Sequence, residues 1–281
     1  MMLKNKTILL TGAGRGIGRE IAITCAREGA KMILISRTES ELDETLQLII
    51  KDSPESFFLT ADVSNELEIA EAYTKIRSKC KRIDVLINNA GIQHPIGLFH
   101  QNDFTLWKKN IEINLFGAAW LTHLVLPDLL TAGKGKIVNL SGGGSTGPRP
   151  NFSAYAVSKT AIVRFTENLA EEYKDHHIDV NAISPGAVNT RMLEEVLAAE
   201  LMAGSEFRDA MQRKEKGGTD PSIAANLISF LASDFSDGIT GKLISAPWDP
   251  WDNEDFQVLL KADKNIATLR RIDNKTFYTK K

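Results

Sequence analysis

Short apolar runs of β type alternate along this chain with segments whose apolar residues recur at helical spacing. The strand candidates are Thr7–Leu10, Met32–Ile35, Ser56–Leu59, Val85–Ile87, Ile137–Leu140, Val180–Ile183 and Leu243–Ser245. Several are apolar at every position, as strands covered on both faces of a parallel sheet must be. Helical periodicity predicts helices over roughly 17–28, 39–51, 66–79, 104–130, 153–175 and 222–232. Strand–helix–strand alternation predicts an α/β fold, a Rossmann-like doubly wound parallel sheet of about seven strands with helices on both faces. The pattern breaks after residue 246. Pro247-Trp248-Asp249-Pro250-Trp251-Asp252 reads as an aromatic turn, followed by a helical stretch over roughly 253–270 and a basic tail to Lys281. The reading is therefore one domain over 1–246 with a C-terminal extension over 247–281.

Composition narrows the function. Of 281 residues, 43% are hydrophobic and 25% charged, enough to build a sizeable core. A net charge of −2 gives no bulk positive field for nucleic acid or an anionic membrane. The N-terminal apolar run is too short for a signal peptide, and no uninterrupted apolar run approaches a membrane span. The expected location is cytoplasmic. Cys25 and Cys80 lie in helix-like apolar patterns and read as reduced buried thiols, and their spacing suggests neither a disulfide nor a metal site.

The chemistry begins where the first strand ends. Thr11-Gly12-Ala13-Gly14-Arg15-Gly16-Ile17-Gly18 follows that strand and opens a helix. Glycines let the backbone turn sharply and approach a pyrophosphate, and a helix N-terminus offers it unpaired N–H groups. In this setting between strand and helix the loop predicts a dinucleotide site. An NAD site of this kind carries an acidic residue about twenty positions on, at the end of the second strand. Here Ser36 stands there with Arg37 beside it. Arg37 and Arg15 can pair with a 2′-phosphate, so NADP(H) is expected over NAD(H).

Tyr155-Ala156-Val157-Ser158-Lys159 puts a phenol and an ammonium four apart on one helix face. A phenol titrates near ~10, and a neighbouring cation stabilises its phenolate, which suits it to acid/base work on a carbonyl. Together with the other motifs, the pair resembles the classical short-chain dehydrogenase/reductase family over residues 4–246. Thr11-Gly12-x-x-x-Gly16-x-Gly18 resembles the family's cofactor loop, and Asp62-Val63 its adenine-contacting pair. Asn88-Asn89-Ala90-Gly91 resembles the segment closing the fourth strand, and Asn114 the helix Asn of the proton relay. Asn181 to Thr190, including Pro185, Gly186, Val188 and Thr190, resembles the stretch that packs on the nicotinamide. The resemblance implies that Lys159 also bonds the nicotinamide ribose. It implies that Asn114 holds a water linking Lys159 to solvent, and that Val188 and Thr190 contact the carboxamide. It also implies a homodimer or homotetramer through the long helices 104–130 and 153–175.

The chain departs from the family at two places. Family members carry a catalytic serine thirteen residues before the tyrosine; here that position is Gly142, in Ser141-Gly142-Gly143-Gly144-Ser145. Ser141, Ser145 or neither supplies the missing hydroxyl, Ser141 being favoured, since a run of glycines lets the loop rearrange. The aromatic turn with Trp248 and Trp251 replaces the usual end of the last strand, and reads as interface or tail packing ahead of substrate contact. Residues 192–218 stand where the family has its substrate lid. The expected activity is hydride transfer between NADP(H) and a small-molecule carbonyl/secondary-alcohol pair. The competing readings are a non-catalytic dinucleotide sensor on the same fold and an enzyme modifying a sugar nucleotide.

Overall fold

The computed structural model describes residues 1–271, and the basic tail beyond Arg271 lies outside the described residues. The seven apolar runs form strands β1 (Thr7–Thr11), β2 (Lys31–Ser36), β3 (Phe57–Thr60), β4 (Val85–Asn88), β5 (Gly135–Leu140), β6 (Ile178–Ser184) and β7 (Leu243–Ser245). All pairs are parallel, in the order β3-β2-β1-β4-β5-β6-β7. The register places Leu9 between Ile33 and Leu86.

Alternation along the strands divides the core between the two faces. Ile8 and Leu10 pack with α1 (Gly16–Arg27) and α9 (Pro221–Ala232). Leu9 and Ile33 pack on the other face with α3 (Glu66–Lys79) and the long helix that follows β4. Helices α2 (Glu39–Ile49) and α6 (Ser153–Glu172) complete the two layers. Sequence and structure thus agree on a doubly wound sheet. The order in which successive strands are added reverses between β1 and β4, where such sheets open a crevice at their C-terminal ends. Cys25 and Cys80 are free and buried, and burial pushes the Cys25 thiol up to about 12.

Four local differences from the sequence reading have physical causes. The expected helix 104–130 is α4 (Phe104–Ile111) and α5 (Gly117–Ala132) joined by a π-helical turn, Glu112–Phe116. Its mixed composition lets the whole segment pass as a membrane span by length and composition, although no uninterrupted apolar run is that long. It packs against α3, β4, β5 and α6. The helix from Ser153 ends at Glu172, ahead of a short 3₁₀ turn. Within 192–218 the chain forms α7 (Arg191–Ala198) and α8 (Ser205–Lys216), which periodicity did not single out.

The helix expected over 253–270 is only α10 (Glu254–Ala262). The buried Lys242 ammonium takes the carbonyls of Asp263 and Ile266 at 2.7 and 3.0 Å, so the chain turns there instead of continuing.

Candidate active site

The glycine loop leaves the C-terminal end of β1 and is fixed by main-chain contacts. Gly12 and Gly16 adopt φ of +66° and +54°, the left-handed region. A Cβ on Gly12 would lie 2.8 Å from Asn89 Nδ2, and one on Gly18 would collide with the Gly12 carbonyl. Asn89 Nδ2 donates to the carbonyls of Thr11 and Gly12 at 2.9 and 3.0 Å. The amides of Asn89 and Ala90 both donate to Thr11 Oγ1 at 3.1 Å. The Asn-Asn-Ala-Gly segment therefore ties β4 to the loop after β1. Helix α1 starts with no side-chain cap and no acid in its first turn, which leaves its N–H groups for an anion. A shallow-backboned cradle ending in an open helix N-terminus fits the pyrophosphate of a dinucleotide.

Beside it, Ser36 ends β2 and accepts a bond from the Thr38 amide at 3.3 Å. Arg15 pairs with Glu41 at 2.7 Å, and Arg37 with Asp62 at 3.8 Å. Both guanidinium groups are about half exposed. Burial works to raise the Asp62 carboxyl, but bonds from Ser64, with Arg37 and Lys109 behind them, hold it below its ordinary value. Val63 is buried against Gly117 at the start of α5.

Tyr155 and Lys159 lie on the first turns of α6 and are both almost fully buried. Lys159 Nζ donates to the Leu140 carbonyl at 2.8 Å and stands 5.6 Å from the centre of the Tyr155 ring. Burial lowers the Lys159 ammonium to about 8. Burial also raises the Tyr155 phenol, and Glu206 adds to this while Arg149 opposes it.

Asn114 occupies the π-helical turn, a distortion that often marks functional sites. Its Oδ1 accepts from the Ile92 amide at 2.8 Å, and its Nδ2 donates to Ile92 O, Asn110 Oδ1 and Ser158 Oγ at 2.8–2.9 Å. A Cβ on Gly91 would lie 3.2 Å from Asn114 Oδ1 and 3.4 Å from Lys159 Nζ, so Gly91 is the narrow step between the two. Asn110, unremarked in the sequence, completes the cluster by donating to the carbonyls of Ile92 and His94.

One cavity of about 500 Å³ unites half of the predicted residues. Ile17, Asn89, Gly91, Ser141, Tyr155, Lys159, Pro185, Gly186, Val188 and Thr190 all line it. Asn114 stands behind this wall, while Ser36, Arg37, Asp62 and Val63 lie off its rim. A hollow of about 520 Å³ at the opposite end of the sheet, among Lys4, Lys6, Lys31 and Lys81, touches none of them.

The Ser141 hydroxyl points to the Lys159 carbonyl at 3.3 Å, and Ser145 is buried outside the cavity lining. A Cβ on Gly142 would fall on the Tyr155 hydroxyl, so the phenol occupies the space that a side chain there would need. The two tryptophans part company. Trp251 packs against Phe230 and bonds the Ala246 carbonyl at 3.1 Å, whereas the exposed Trp248 stands at the cavity mouth.

Sequence reasoning passed over Gln93, Arg149, Glu206 and Arg213, which also line the cavity. Gln93 Nε2 donates to the Met192 carbonyl and ties α7 to the loop after β4. No spacing rule marks these residues, because Gln93 and Arg149 come from two loops while Glu206 and Arg213 come from helix α8, and only the fold brings the three segments together.

Residues 6–201 match the family model described as short chain dehydrogenase. The chain is 34% identical over 240 residues to levodione reductase of Leifsonia aquatica, covering 82% of this chain and 88% of that one. Among solved structures, a variant of actinorhodin polyketide ketoreductase with NADPH superposes with a TM-score of 0.79 at 28% identity, over 85% of this chain and 95% of that one. Carveol dehydrogenase from Mycobacterium avium in complex with NAD gives 0.75 at 26%, over 87% and 96%.

Proposed function

Because the chain belongs to the short-chain dehydrogenase family, whose members are oxidoreductases using a nicotinamide dinucleotide on small molecules, we propose that it is an NADP(H)-preferring enzyme interconverting a carbonyl and a secondary alcohol. One observation carries this reading. A buried phenol with a buried ammonium one helical turn away faces a cavity that opens beside the glycine cradle.

When bound, a nicotinamide supplies or accepts the hydride. Gly12, Gly16, Ile17 and Gly18 would cradle its pyrophosphate, and Pro185, Gly186, Val188 and Thr190 would border its nicotinamide end. Tyr155 gives its hydroxyl proton to the carbonyl oxygen as the carbon accepts the hydride, and in the oxidative direction takes that proton back. Burial keeps the phenol protonated at neutral pH, the form that reduction needs. Lys159, still charged near pH 7, steadies the phenolate left behind. Asn114, bonded to Ile92 and Ser158, would hold the water through which the Lys159 proton is replaced. Ser141 is the residue assigned to the substrate oxygen, after turning from Lys159 O.

The preference for NADP(H) is supported by Ser36 in place of an acid and by Arg15 and Arg37 beside it. Their present partners, Glu41 and Asp62, are exposed enough to exchange for a phosphate. Related structures hold NAD in one case and NADPH in another, so the arginines carry the assignment. Oxidation of NADPH across a carbonyl panel tests the whole reading. Activity is expected in the native chain and lost in Tyr155→Phe; activity unaffected by that change overturns the role of Tyr155. Tighter binding of NADH than NADPH overturns the cofactor assignment.

The reading includes a cytoplasmic location and a homodimer or homotetramer. Exposed Phe116 on the π turn and Val157 on α6 mark the self-associating face. Light scattering that returns a monomer overturns that assembly.

A further inference from the structure

Arg149 belongs to no family motif named above, yet its guanidinium forms part of the wall around Tyr155. Its Cζ stands 4.0 Å from the centre of the Phe152 ring and 5.0 Å from that of Tyr155. Its Nε and Nη2 hold Glu206 as a fork, at 2.5 and 2.6 Å, with both side chains mostly buried. Glu206 is the second residue of α8. That helix packs chiefly on α7 and the 3₁₀ turn Glu200–Ala203, within its own flap. The flap meets the body through an apolar cluster in which Leu193, Val196 and Ala210 pack with Phe152 and Tyr155.

The fork therefore shows that this cavity accepts a carboxylate at Arg149, beside the reacting phenol. A guanidinium that grips one carboxylate in two parallel bonds has the geometry for another. If α8 withdraws and nothing replaces Glu206, a mostly buried cation is left unpaired, which is strongly unfavourable. An incoming carboxylate keeps it paired throughout. The other charged groups lining the cavity are Lys159, Arg213 and Asp209, so with Glu206 removed the wall is cationic.

We propose that Arg149 is the specificity-determining anchor for an anionic substrate, a small oxo acid or hydroxy acid, whose carboxylate exchanges with that of Glu206. The proposal rests on the oxidoreductase reading above and adds the substrate class. Glu206 then acts as an internal stand-in that fills the anchor until substrate arrives. The proton and hydride steps are unchanged: the carbonyl carbon gains the hydride, its oxygen gains the Tyr155 proton, and the carboxylate remains bound and intact.

Two measurements on the full chain test this. Steady-state NADPH oxidation compares small oxo acids with their neutral primary amides. Calorimetry of the NADPH-loaded protein compares butanoate with butanamide, neither of which is reduced. The native chain is expected to prefer the acid by on the order of tenfold or more in kcat/KM and in affinity. Arg149→Gln brings both ratios near one, the acid losing its advantage through KM. Glu206→Gln leaves the guanidinium free and lowers KM for the acid relative to the amide. This second variant decides the matter if Arg149→Gln does not fold. Equal handling of acid and amide by the native chain, or an acid preference that survives Arg149→Gln, overturns the anchor. Turnover without acid selectivity sinks the anchor and leaves the oxidoreductase reading. Selective butanoate binding without turnover of any carbonyl sinks that reading and leaves the anchor.

Discussion

The two sides of the crevice are built by different means. On the β1 side, the cradle is shaped by main chain: glycines at positive φ, the Asn89 amide holding two carbonyls, and an open helix end. On the β5 side, the substrate wall is shaped by side chains: Tyr155 over Gly142, Lys159 on the Leu140 carbonyl, and the Arg149–Glu206 fork. A main-chain cradle demands particular residues at particular positions, since no other side chain tolerates the same φ or approach. A side-chain wall can be reached from several loops, so its composition is free to vary with the substrate. The first side fixes the cofactor class, and the second fixes what is reduced.

The largest test of this division falls on the substrate side. If Tyr155 supplies the proton, as proposed, Tyr155→Phe, which leaves the ring in its apolar cluster, should lower turnover about 10²–10⁴-fold. NADPH affinity and the unfolding midpoint should barely move, as ligand titration and urea melts would show. A matching loss of cofactor binding would mean that the two sides are not separable.

Next comes Lys159. Its folded pKa of about 8 lies below the ordinary lysine value of 10.5. Between those values the unfolded chain still holds the proton that the folded chain has released, so stability rises with pH across this window. Below pH 8 the buried ammonium opposes folding by roughly 3 kcal/mol relative to the upper end. Urea unfolding of the cofactor-free protein at pH 7.5–9.5 should show that rise, and Lys159→Met should flatten it. An unchanged slope in the variant would place the titration elsewhere.

On the cradle side, Gly12→Ala combines a positive φ with a Cβ pressed on Asn89 and Ala90. It should cost about 1–3 kcal/mol of stability and abolish the shift in melting temperature that NADPH gives. The smallest effect belongs to Arg37→Ala, which should weaken NADPH about fivefold with NADH unaltered. Equal weakening of both would assign Arg37 to the adenine or to surface charge.

How much of this was legible in the sequence follows the same division. The strands, the cradle and the Tyr155–Lys159 turn were readable because each rests on local periodicity or on a fixed spacing. The π turn at Glu112–Phe116 was not, since its apolar residues satisfy an α-helical pattern equally well. Helices α7 and α8 escaped because α7 is only eight residues long and α8 is mostly charged and polar. The early end of α10 depends on Lys242, far back along the chain, taking two of its neighbours' carbonyls. Arg149 and Glu206 are 57 residues apart, and only the folded chain brings their charges together.

The extension after β7 has a consequence at the border of the sheet. A parallel sheet ends in two strands whose outer N–H and C=O groups invite pairing with another chain. On the β7 side the Leu243 amide is already taken, donating to the Ala267 carbonyl at 2.7 Å. On the β3 side the ammonium groups of Lys31, on the neighbouring strand β2, and of Lys79 stand 6.0 and 5.0 Å from the Phe57 ring. The β7 border is thus met, at Leu243, by the protein's own backbone. Removal of residues 247–281 would bare that border to strand addition, and clumping of the shortened chain, rather than altered chemistry, would be its first symptom.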